Sequence, residues 1–435
     1  MDVGTCDLWQ EHLVVAEDVN WVGNAFLPGL DIAVDSNQNC HVFWHDKEEG
    51  EVSRIYHRIY GSSMEQWLNE EPNLVYTSSE PVSVYLSNDN VPTESPSWTQ
   101  NNPVVTGTAD GRVVLAWTRT NHELSFWSPP PEIPYLTTVV FSIWEDGVWS
   151  EPFEPFPDLE RLDKPALAAS TEGGFWLVVS GWVSGDTRKI WAYREKPDAG
   201  VEYHGPFDAD GYDSEPAIAF DSFNRLWLSW LTYGFAPCCA RYFYTSFQND
   251  VWSEINEIPL VSDDLVNPDI FWYFSWSPAI QVAASEGLWV LLRGNDTNPG
   301  DLTWNWLSNL DVLESEIWSP FAGLDSYHAA IETNKLRRLQ LAQPVLHVDP
   351  DTQTITEPAQ LMVREELSPG GQWLDKAQIT TGDNFIIQPV MSRSVVPDRV
   401  WLAWMGFEFP SVSEDLTEGA EHATIYLIRE NSVSE

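Results

Sequence analysis

The hydrophobic and polar positions of this chain follow one pattern that recurs along its length. In the stretch EPAIAFDSFNRLWLSW (Glu215–Trp230), a short apolar run leads to a polar turn and then to apolar residues interleaved with tryptophan and one small residue. An internal period of this kind excludes a string of unrelated domains and indicates a repeat architecture. Seven copies of the pattern, 51 to 73 residues apart, end at Trp44, Trp117, Val179, Trp230, Leu292, Gln343 and Trp404.

Each repeat carries two further segments in a fixed order. A run rich in aromatic residues follows the tryptophan strand, as in RIYHRIY (54–60) and RYFYTSF (241–247). A Gly, Asn or Asp turn then leads to a short segment that begins at tryptophan, as in DGVWSEPF around Trp149 and NDVWSEIN around Trp252. Short strands separated by turn residues predict an antiparallel meander of four strands in each repeat.

Both faces of the second strand are apolar, which predicts that each sheet is covered on both sides. Leu228 and Trp230 lie on one face of that strand and Trp227 on the other, whereas a sheet with one wet face would alternate apolar and polar residues. Such sheets stacked around an axis form a β-propeller, with the strand-end tryptophans packed between blades. We therefore predict an all-β protein, a seven-bladed β-propeller of four-stranded antiparallel blades, as a single domain over residues 1–435. The predicted blades span residues 28–79, 98–157, 165–207, 216–260, 278–321, 328–380 and 388–430, the last one completed by 6–16.

The seventh repeat has no tryptophan strand of its own, and the N-terminus carries a segment of that form. The segment CDLWQEHLVV, around Trp9, precedes the opening strand of the first repeat. We expect it to pair beside the strand at residues 424–428, so that the N-terminal strand joins the last blade and closes the ring. Closure of this kind removes the free sheet edges that promote aggregation.

The repeats resemble the sialidase-like, BNR-type repeats of bacterial propeller proteins. The shared rhythm is a P-x-I-A-x-D run (PAIAFD, 216–221), a turn, an apolar-Trp strand, an aromatic strand and a closing W-S. The resemblance covers nearly the whole chain and concerns the scaffold. Sialidases generally have six blades, and their Asp-box, S-x-D-x-G-x-x-W, is not intact here, because SIWEDGVW (Ser142–Trp149) has Asp and Gly adjacent.

The loops between the second and third strands of each repeat are long and unlike one another, whereas the turns between first and second strands are short and regular. Irregular loops on a rigid scaffold are the usual place for binding residues, so we expect function on the face with the long loops. Aromatic rings there can stack on sugars, anchor a protein partner or pack the loops onto the blades. These candidate ligand-binding aromatics are Trp127, Trp182, Tyr233, Phe235, Trp272, Tyr273, Trp276 and Phe409.

One link between repeats is rich in acidic residues. The segment DADGYDSE places Asp208, Asp210, Asp213 and Glu215 close together, with Gly211 for a tight turn. Loops rich in oxygen atoms can bind Ca²⁺, which takes six to eight hard ligands, although the spacing is not that of an EF-hand. Solvated turn residues are the alternative interpretation, and calcium is the one cofactor that the sequence suggests.

The sialidase resemblance implies a catalytic pocket with three arginines, a Tyr/Glu pair and an acidic Asp. The arginines best placed on the long-loop face are Arg119, Arg161 and Arg293, and three arginines can hold a carboxylate. Salt bridging within an acidic surface is the alternative role, and we assign no catalytic residue. The histidines near these arginines in the topology are His122, His328 and His347.

Charge and composition restrict the class of partner. The net charge is −44, with 66 acidic and 22 basic residues, which argues against nucleic acids and anionic membranes, since both bind Lys and Arg. Glycans, basic proteins and cations remain as possible classes of partner, and solubility alone can also explain the excess of acidic residues. No apolar run is long enough to span a membrane, and MDVGTCDLWQ has no signal-peptide pattern. We expect an extracellular or cell-surface protein whose signal was removed or lies on a longer parent chain, and which can be one part of a larger assembly.

The cysteines carry no metal-site spacing. Cys6, Cys40, Cys238 and Cys239 form neither a CxxC pair nor a Cys/His cluster. The adjacent pair Cys238–Cys239 either closes a vicinal disulfide or consists of two small buried thiols. The main functional hypothesis is therefore a non-enzymatic propeller that binds a glycan or a protein through its irregular loops, and the alternative is a sialidase-like glycoside hydrolase.

Overall fold

The structure, a computed structural model, describes the strands and the turns next to them. Among the described residues every regular element is a β-strand, and all strand pairs are antiparallel, which confirms the predicted all-β class. No helix in this part of the chain is long and apolar enough to cross a membrane. The described residues are 12–20, 29–46, 54–77, 99–120, 137–182, 187–196, 199–221, 223–233, 240–258, 280–284, 288–294, 304–309, 314–318, 330–333, 339–348, 355–366, 373–379, 384–393, 400–408 and 422–430.

The N-terminal half of the chain forms one strand and three complete sheets. The single strand is β1 (Leu13–Asn20), whose partner comes from the other end of the chain. The first sheet contains β2 (Leu30–Val34), β3 (Cys40–Asp46), β4 (Arg54–Gly61), β5 (Gln66–Trp67) and β6 (Asn73–Thr77). The second sheet contains β7 (Thr99–Gly107), β8 (Val113–Thr120), β9 (Thr137–Glu145) and β10 (Val148–Trp149). The third sheet contains β11 (Glu160–Ala169), β12 (Phe175–Trp182), β13 (Arg188–Lys196) and β14 (Gly200–Phe207).

Four more sheets follow. The fourth sheet contains β15 (Tyr212–Phe220), β16 (Leu226–Tyr233), β17 (Ala240–Gln248), β18 (Val251–Trp252) and β19 (Asn256–Glu257). The fifth contains β20 (Ile280–Ala284), β21 (Leu288–Gly294), β22 (Trp304–Asn309) and β23 (Glu314–Trp318). The sixth contains β24 (Ala330–Thr333), β25 (Leu339–Val348), β26 (Ile355–Glu366) and β27 (Trp373–Gln378). The seventh contains β28 (Asn384–Arg393), β29 (Val400–Glu408) and β30 (His422–Arg429).

The outer strand of the seventh sheet is β1, from the other end of the chain. Its order is β1-β30-β29-β28, and the register places Leu13 opposite Leu427 and Asn20 opposite His422. The strand covers 13–20, further along the chain than the predicted segment 6–16, and Trp9 lies outside the described residues. The two ends of the described chain are therefore joined in one sheet.

The sheets contact one another in chain order through their first strands. This series links neighbours along the sequence, and its last contact joins the seventh sheet to the first. The contacting pairs are β2 with β7, β7 with β11, β11 with β15, β15 with β20, β20 with β24, β24 with β28, and β28 with β2.

The turn between the first and second strands has the same hydrogen bonds in the first four sheets. In the fourth sheet, the Asp221 NH donates to the Arg225 carbonyl at 3.0 Å, and the Asn224 NH donates back to the Asp221 carbonyl at 3.0 Å. Asn224 has φ of +56°, so this is a type I turn followed by a left-handed residue, a common three-residue hairpin loop. The equivalent left-handed residues are Gln38, Gly111 and Gly173.

A serine after the strand tryptophan explains the repeated W-S. The Ser150 hydroxyl accepts the Ile143 NH at 3.0 Å, and the Ser253 hydroxyl accepts the Ser246 NH at 3.0 Å. In each case the side chain takes the place of a ladder acceptor where the two-residue strand ends, so the NH has a hydrogen-bond partner within the protein.

The first strands of four sheets bend at a β-bulge that contains proline. Proline has no NH to donate to the ladder, so it is tolerated at such a bulge. The irregular steps, in the second, third, fourth and seventh sheets, enclose Pro103, Pro165, Pro216 and Pro389.

Tryptophans fill the space between neighbouring sheets. Trp230 is fully buried in a cluster with Trp176, which joins the third and fourth sheets. Trp117 packs with Phe43 between the second and first sheets, and Trp401 packs with residues of the first sheet. The prediction that these tryptophans pack between sheets is confirmed for the described residues.

The first strands of the first and second sheets lie in close contact. A Cβ on Gly107 would lie 2.2 Å from the Val34 carbonyl oxygen, so only glycine fits there. Asp31 of β2 accepts the Val105 NH at 2.8 Å, which connects two sheets that share no ladder. Burial raises the pKa of Asp31 to about 7 against this hydrogen bond.

Ion pairs connect three of the sheet interfaces at the edge with the short turns, here called the turn edge. Arg112 and Glu195 form a bidentate pair, at 2.8 and 2.9 Å, between the second and third sheets. Arg194 lies 2.8 Å from the Asp250 carboxylate between the third and fourth sheets. The pair between the seventh and first sheets is Arg429 with Glu65, at 3.2 Å.

Candidate functional site

Four side chains gather at the opposite edge of the third and fourth sheets, where second strands end and third strands begin. We call this edge the loop edge. Trp182 is the last residue of β12 and faces Arg188, the first residue of β13, across the ladder. Arg161 lies in β11, and Tyr212 is the first residue of β15. These four residues are the arginine–tryptophan cluster.

The Trp182 ring is the centre of the cluster. The Arg161 guanidinium carbon lies 5.2 Å from the centroid of the indole, and the Tyr212 ring meets the indole edge-on at 5.1 Å and 84°. Arg161 is exposed, whereas Trp182, Arg188 and Tyr212 are half-buried. The cluster therefore crosses the interface of the two sheets and presents one guanidinium to solvent on an aromatic support.

The electrostatics keep the Tyr212 phenol protonated at neutral pH. Burial raises the pKa of Tyr212, and the charges of Arg188 and Arg161 oppose that rise. Both arginines are thus close enough to act on the hydroxyl. The cluster offers hydrogen-bond donors to an anionic or hydroxylated ligand.

Arg161 has an unusual backbone conformation for its residue type. Its φ is +52°, in the left-handed region, and the ladder between β11 and β12 is irregular between Glu160 and Asp163. Residues other than glycine, asparagine and aspartate seldom adopt this conformation, and such residues concentrate at functional sites.

The acidic link holds the two sheets together directly beneath the cluster. Lys189, the neighbour of Arg188, places its ammonium 2.5 Å from the Asp208 carboxylate, 3.5 Å from the Gly211 carbonyl and 3.9 Å from the Asp213 carboxylate. Lys189 is buried, and Asp213 has no exposed surface. The ion pair therefore connects the chain neighbours of Arg188 and Tyr212.

Asp213 is occupied on every side. Its Oδ1 accepts the Trp230 indole NH at 3.1 Å and the Thr232 hydroxyl at 2.5 Å, and its Oδ2 faces Lys189. Burial raises the pKa of Asp213 to about 6, although these hydrogen bonds and Lys189 lower it.

The predicted calcium ligands have a different arrangement from the expected one. Asp208 and Asp213 face the Lys189 ammonium, Asp210 is exposed, and Glu215 lies at the β-bulge with φ of +53°. Within the part of the chain that the structure describes, no group of three or more His, Cys, Asp or Glu residues is placed to hold a metal. Lys189 supplies the positive charge that the sequence pattern suggested for Ca²⁺.

Of the predicted ligand-binding aromatics, Trp182 belongs to the cluster. Tyr233 ends β16, where its backbone pairs with Tyr212 and Ala240. The others lie outside the described residues, as do Cys238 and Cys239, and they are Trp127, Phe235, Trp272, Tyr273, Trp276 and Phe409.

Of the three arginines suggested by the sialidase resemblance, Arg161 lies in the cluster. Arg119 is half-buried near the end of β8, and Arg293 lies in β21, opposite Asn305. The backbone of His347 is opposite Glu357 in the ladder of β25 and β26, and His122 and His328 lie outside the described residues. Sequence reasoning missed Arg188 and Tyr212, although both begin a strand at the loop edge and that position could have indicated them.

Comparison with known proteins identifies the scaffold. No protein-family model matches this chain, and no curated protein matches it. A polysaccharide lyase, Uly1, is 11% identical with a TM-score of 0.53, over 97% of this chain and 94% of that one. At this identity the likeness shows a shared fold alone.

Two other solved structures are similar at lower scores. A Dyadobacter fermentans protein of unknown function is 10% identical with a TM-score of 0.47, over 97% of this chain and 99% of that one. A Trypanosoma rangeli sialidase bound to the inhibitor DANA is 10% identical with a TM-score of 0.47, and the match covers 97% of this chain and 58% of the sialidase.

Proposed function

We propose that this protein is a seven-bladed β-propeller that binds an anionic carbohydrate through the arginine–tryptophan cluster. Seven described sheets, the contacts of their first strands in chain order and the pairing of β1 with β30 support a ring of blades closed by the N-terminal strand. A deletion of residues 1–20 would leave β30 as an open edge, and we expect aggregation on size-exclusion chromatography. A monomeric deletion variant would contradict the closure.

The observation that carries the proposed function is the placement of Arg161 on Trp182. A guanidinium that lies over an aromatic ring is held in position and can present its remaining donors to a carboxylate or sulfate in a bidentate manner. The edges of the Trp182 and Tyr212 rings next to it can contact the apolar face of a sugar, and the Tyr212 hydroxyl can bind a sugar hydroxyl.

The charge of the whole protein sharpens this argument. On a chain with net charge −44, an exposed arginine with a second arginine beside it is a local exception. At the turn edge of the third and fourth sheets, Arg194 and Lys196 lie beside carboxylates of Asp250 and Glu202. A ligand with isolated negative charges, as on an acidic polysaccharide, fits such a site better than a densely charged polyanion.

Carbohydrate is also the ligand class suggested by the polysaccharide lyase with the shared fold, and that support rests on fold likeness. Binding is favoured over catalysis by two features. The Tyr212 phenol is protonated at neutral pH. The carboxylate of the neighbouring Asp213 is buried and accepts hydrogen bonds from Trp230 and Thr232, so it is not free to act as a general base.

The test is titration of the protein with acidic and neutral oligosaccharides by isothermal calorimetry, with uronic-acid oligomers as the charged probe and their neutral counterparts as the reference. Arg161→Ala is expected to weaken binding of the acidic oligomer about tenfold to a hundredfold, since a charged hydrogen bond contributes about 1.5–3 kcal/mol. The same samples are assayed for released sugars and for new unsaturated ends.

Arg194→Ala is the matched control. Its guanidinium also lies 5.2 Å from a tryptophan ring, that of Trp176, but at the turn edge of the same sheet. It should leave binding unchanged. Equal loss in both variants, or binding of neutral and acidic oligomers with the same affinity, would contradict the proposal, and turnover of the oligomer would indicate an enzyme.

A further inference from the structure

Three titratable side chains form a buried chain at the interface of the first and second sheets. The His41 Nδ1 lies 2.9 Å from the His57 Nε2, and the His41 Nε2 lies 3.4 Å from the Asp35 carboxylate. Asp35, His41 and His57 are 6%, 2% and 1% exposed. The proposed carbohydrate site does not use them, since they lie towards the turn edge and in a different sheet.

The repeat shows what is special about His41. The same position of the second strand is Trp176 in the third sheet, Trp227 in the fourth and Trp401 in the seventh. In the fourth sheet the Trp227 indole NH donates to Asp221 at 3.0 Å, just as the His41 Nε2 faces Asp35. The first sheet therefore has a titratable imidazole where the third, fourth and seventh sheets have an indole.

The short distance between the two imidazoles limits how many protons they hold. A hydrogen bond between two ring nitrogens needs one NH and one lone pair. His41 can take up a proton and still donate to both Asp35 and His57. If His57 is protonated as well, two NH groups face each other at 2.9 Å, and two positive rings adjoin in a buried site.

In the part of the chain that the structure describes, aromatic rings pack around His57. The second sheet packs Trp144 and Trp149 edge-on against His57, at 5.8 and 5.6 Å, and Phe43 stacks on it at 4.4 Å. Burial, and then the charge of His41, hold the pKa of His57 well below its usual range. Other titratable or charged groups near this place are Asp31, which is the ladder partner of Phe43 and accepts the Val105 NH, and Cys40, whose thiol packs in the cluster shared with the seventh sheet. Arg429, paired with Glu65, and Asp110, paired with Arg112 in the adjacent turn, are further groups of this kind.

We propose that the Asp35–His41–His57 chain makes the interface of the first and second sheets acid-sensitive, so that a second proton on the histidine pair separates these sheets. Trp144 and Trp149 would lose their contact with His57 first, because the charged ring must reach water. The opening would begin at the turn edge and would not require a ligand.

The direction of the pH effect follows from proton uptake. Below pH 6.5 the unfolded chain protonates both histidines, whereas the folded interface accepts one proton, so the contribution of the histidine pair to stability decreases as the pH falls. One proton of difference changes the unfolding equilibrium constant roughly twentyfold between pH 7 and pH 5, for an unfolded pKa of about 6.5.

The experiment compares urea unfolding of the full chain and of His57→Phe at pH 7 and pH 5, at constant ionic strength. Phe141 occupies the matching position of the second sheet, so a phenyl ring suits the site. The unfolding constant of the wild type is expected to rise roughly twentyfold more than that of the variant over this range. Equal pH dependence of the two proteins would overturn the proposal.

A second measurement needs no variant. In the wild type labelled with ¹⁵N-histidine, the ring-nitrogen shifts report the protonation state of each imidazole. One imidazole of the pair is expected to stay neutral at pH 5 as long as the protein is folded, and hydrogen exchange should rise first in β4 and β9. Two protonated rings in a fully protected fold would overturn the proposal.

Discussion

The first and fourth sheets build the same turn from the same kind of residue but stabilise it differently. In both turns, the side chain of an aspartate accepts the backbone NH of the residue four positions later. The Asn39 NH donates to Asp35 at 2.8 Å, and the Arg225 NH donates to Asp221 at 2.9 Å. In the fourth sheet the remaining partners of Asp221 are the Arg225 guanidinium at 2.8 Å and the Trp227 indole. In the first sheet they are the Asn39 amide at 2.9 Å and the His41 imidazole.

The difference separates a permanent arrangement from one that depends on pH. The Arg225 guanidinium lies 4.1 Å from the centroid of the Trp227 ring, and Asp221 is paired with this arginine and this tryptophan, not with a histidine. The partners of Asp35 are the neutral amide of Asn39 and the imidazole of His41. Burial raises the pKa of Asp35, but the hydrogen bonds from His41 and Asn39 outweigh it, so the pKa is lowered. One repeat position can thus serve the same fold with or without a pH response, depending on whether its donor can lose a proton.

The largest expected effect tests the core between the third and fourth sheets. Trp230→Ala removes a fully buried indole between the third and fourth sheets and should cost about 3–5 kcal/mol in the free energy of unfolding. Urea denaturation measures it. Phe223→Ala, at a residue 60% exposed on the neighbouring turn, is the control and should change the stability by less than about 0.5 kcal/mol. A Trp230→Ala shift near zero would contradict the packing role.

The fourth sheet should also respond to pH, with the opposite sign to the first. Asp213 has its pKa raised to about 6 in the fold, so the folded protein binds more protons than the unfolded chain between pH 4 and pH 6, and Asp213 reduces stability as the pH rises through that window. Relative to the wild type, Asp213→Asn should gain about 2 kcal/mol between pH 4 and pH 7. Urea midpoints at the two pH values check this, and a constant difference would be evidence against it.

Removing the charge at Asp221 tests the permanent arrangement. Asp221→Asn weakens the hydrogen bonds from Arg225 and Trp227 and should destabilise the protein by about 2 kcal/mol, by the same amount at pH 5 and pH 7. Asp35→Asn is the matched variant in the first sheet, and its effect should differ between these pH values because His41 loses its counter-charge. Identical behaviour of the two variants would remove the contrast between the sheets.

The smallest expected effect converts one turn towards the other. Asn39→Arg places an arginine next to Asp35, as Arg225 is next to Asp221 in the fourth sheet. It should change the free energy of unfolding at pH 7 by about 0.5 kcal/mol or less, as for a partly exposed ion pair. A new cation beside His41 disfavours its first proton, so the variant should lose stability more steeply on acidification than the wild type. Thermal melts at pH 7 and pH 5 measure both effects, and a shallower acid response would contradict the assignment of the proton to His41.

Much of the scaffold could be predicted because its signals are local. The alternation of Leu226, Trp227 and Leu228 marks a strand with two buried faces, and DSFNR after PAIAF marks a tight turn whose hydrogen bonds join residues four apart. Such contacts depend on neighbours in sequence, so the repeat carries them. The position of the N-terminal strand was predicted less well, since the pairing of β1 with β30 joins residues from opposite ends of the chain.

The sequence by itself determined the strands, the turns and the tryptophans between the sheets, because each follows from residue type and from a period of two. Only the tertiary structure decided what the charged groups do. Lys189 enters the acidic link, Arg188 joins Trp182 and Tyr212, and His41 meets His57, because strand pairing within a sheet and packing between neighbouring sheets bring them together. Electrostatic interactions act through space over a few ångströms, so no local pattern can show which charge a carboxylate or an imidazole will face.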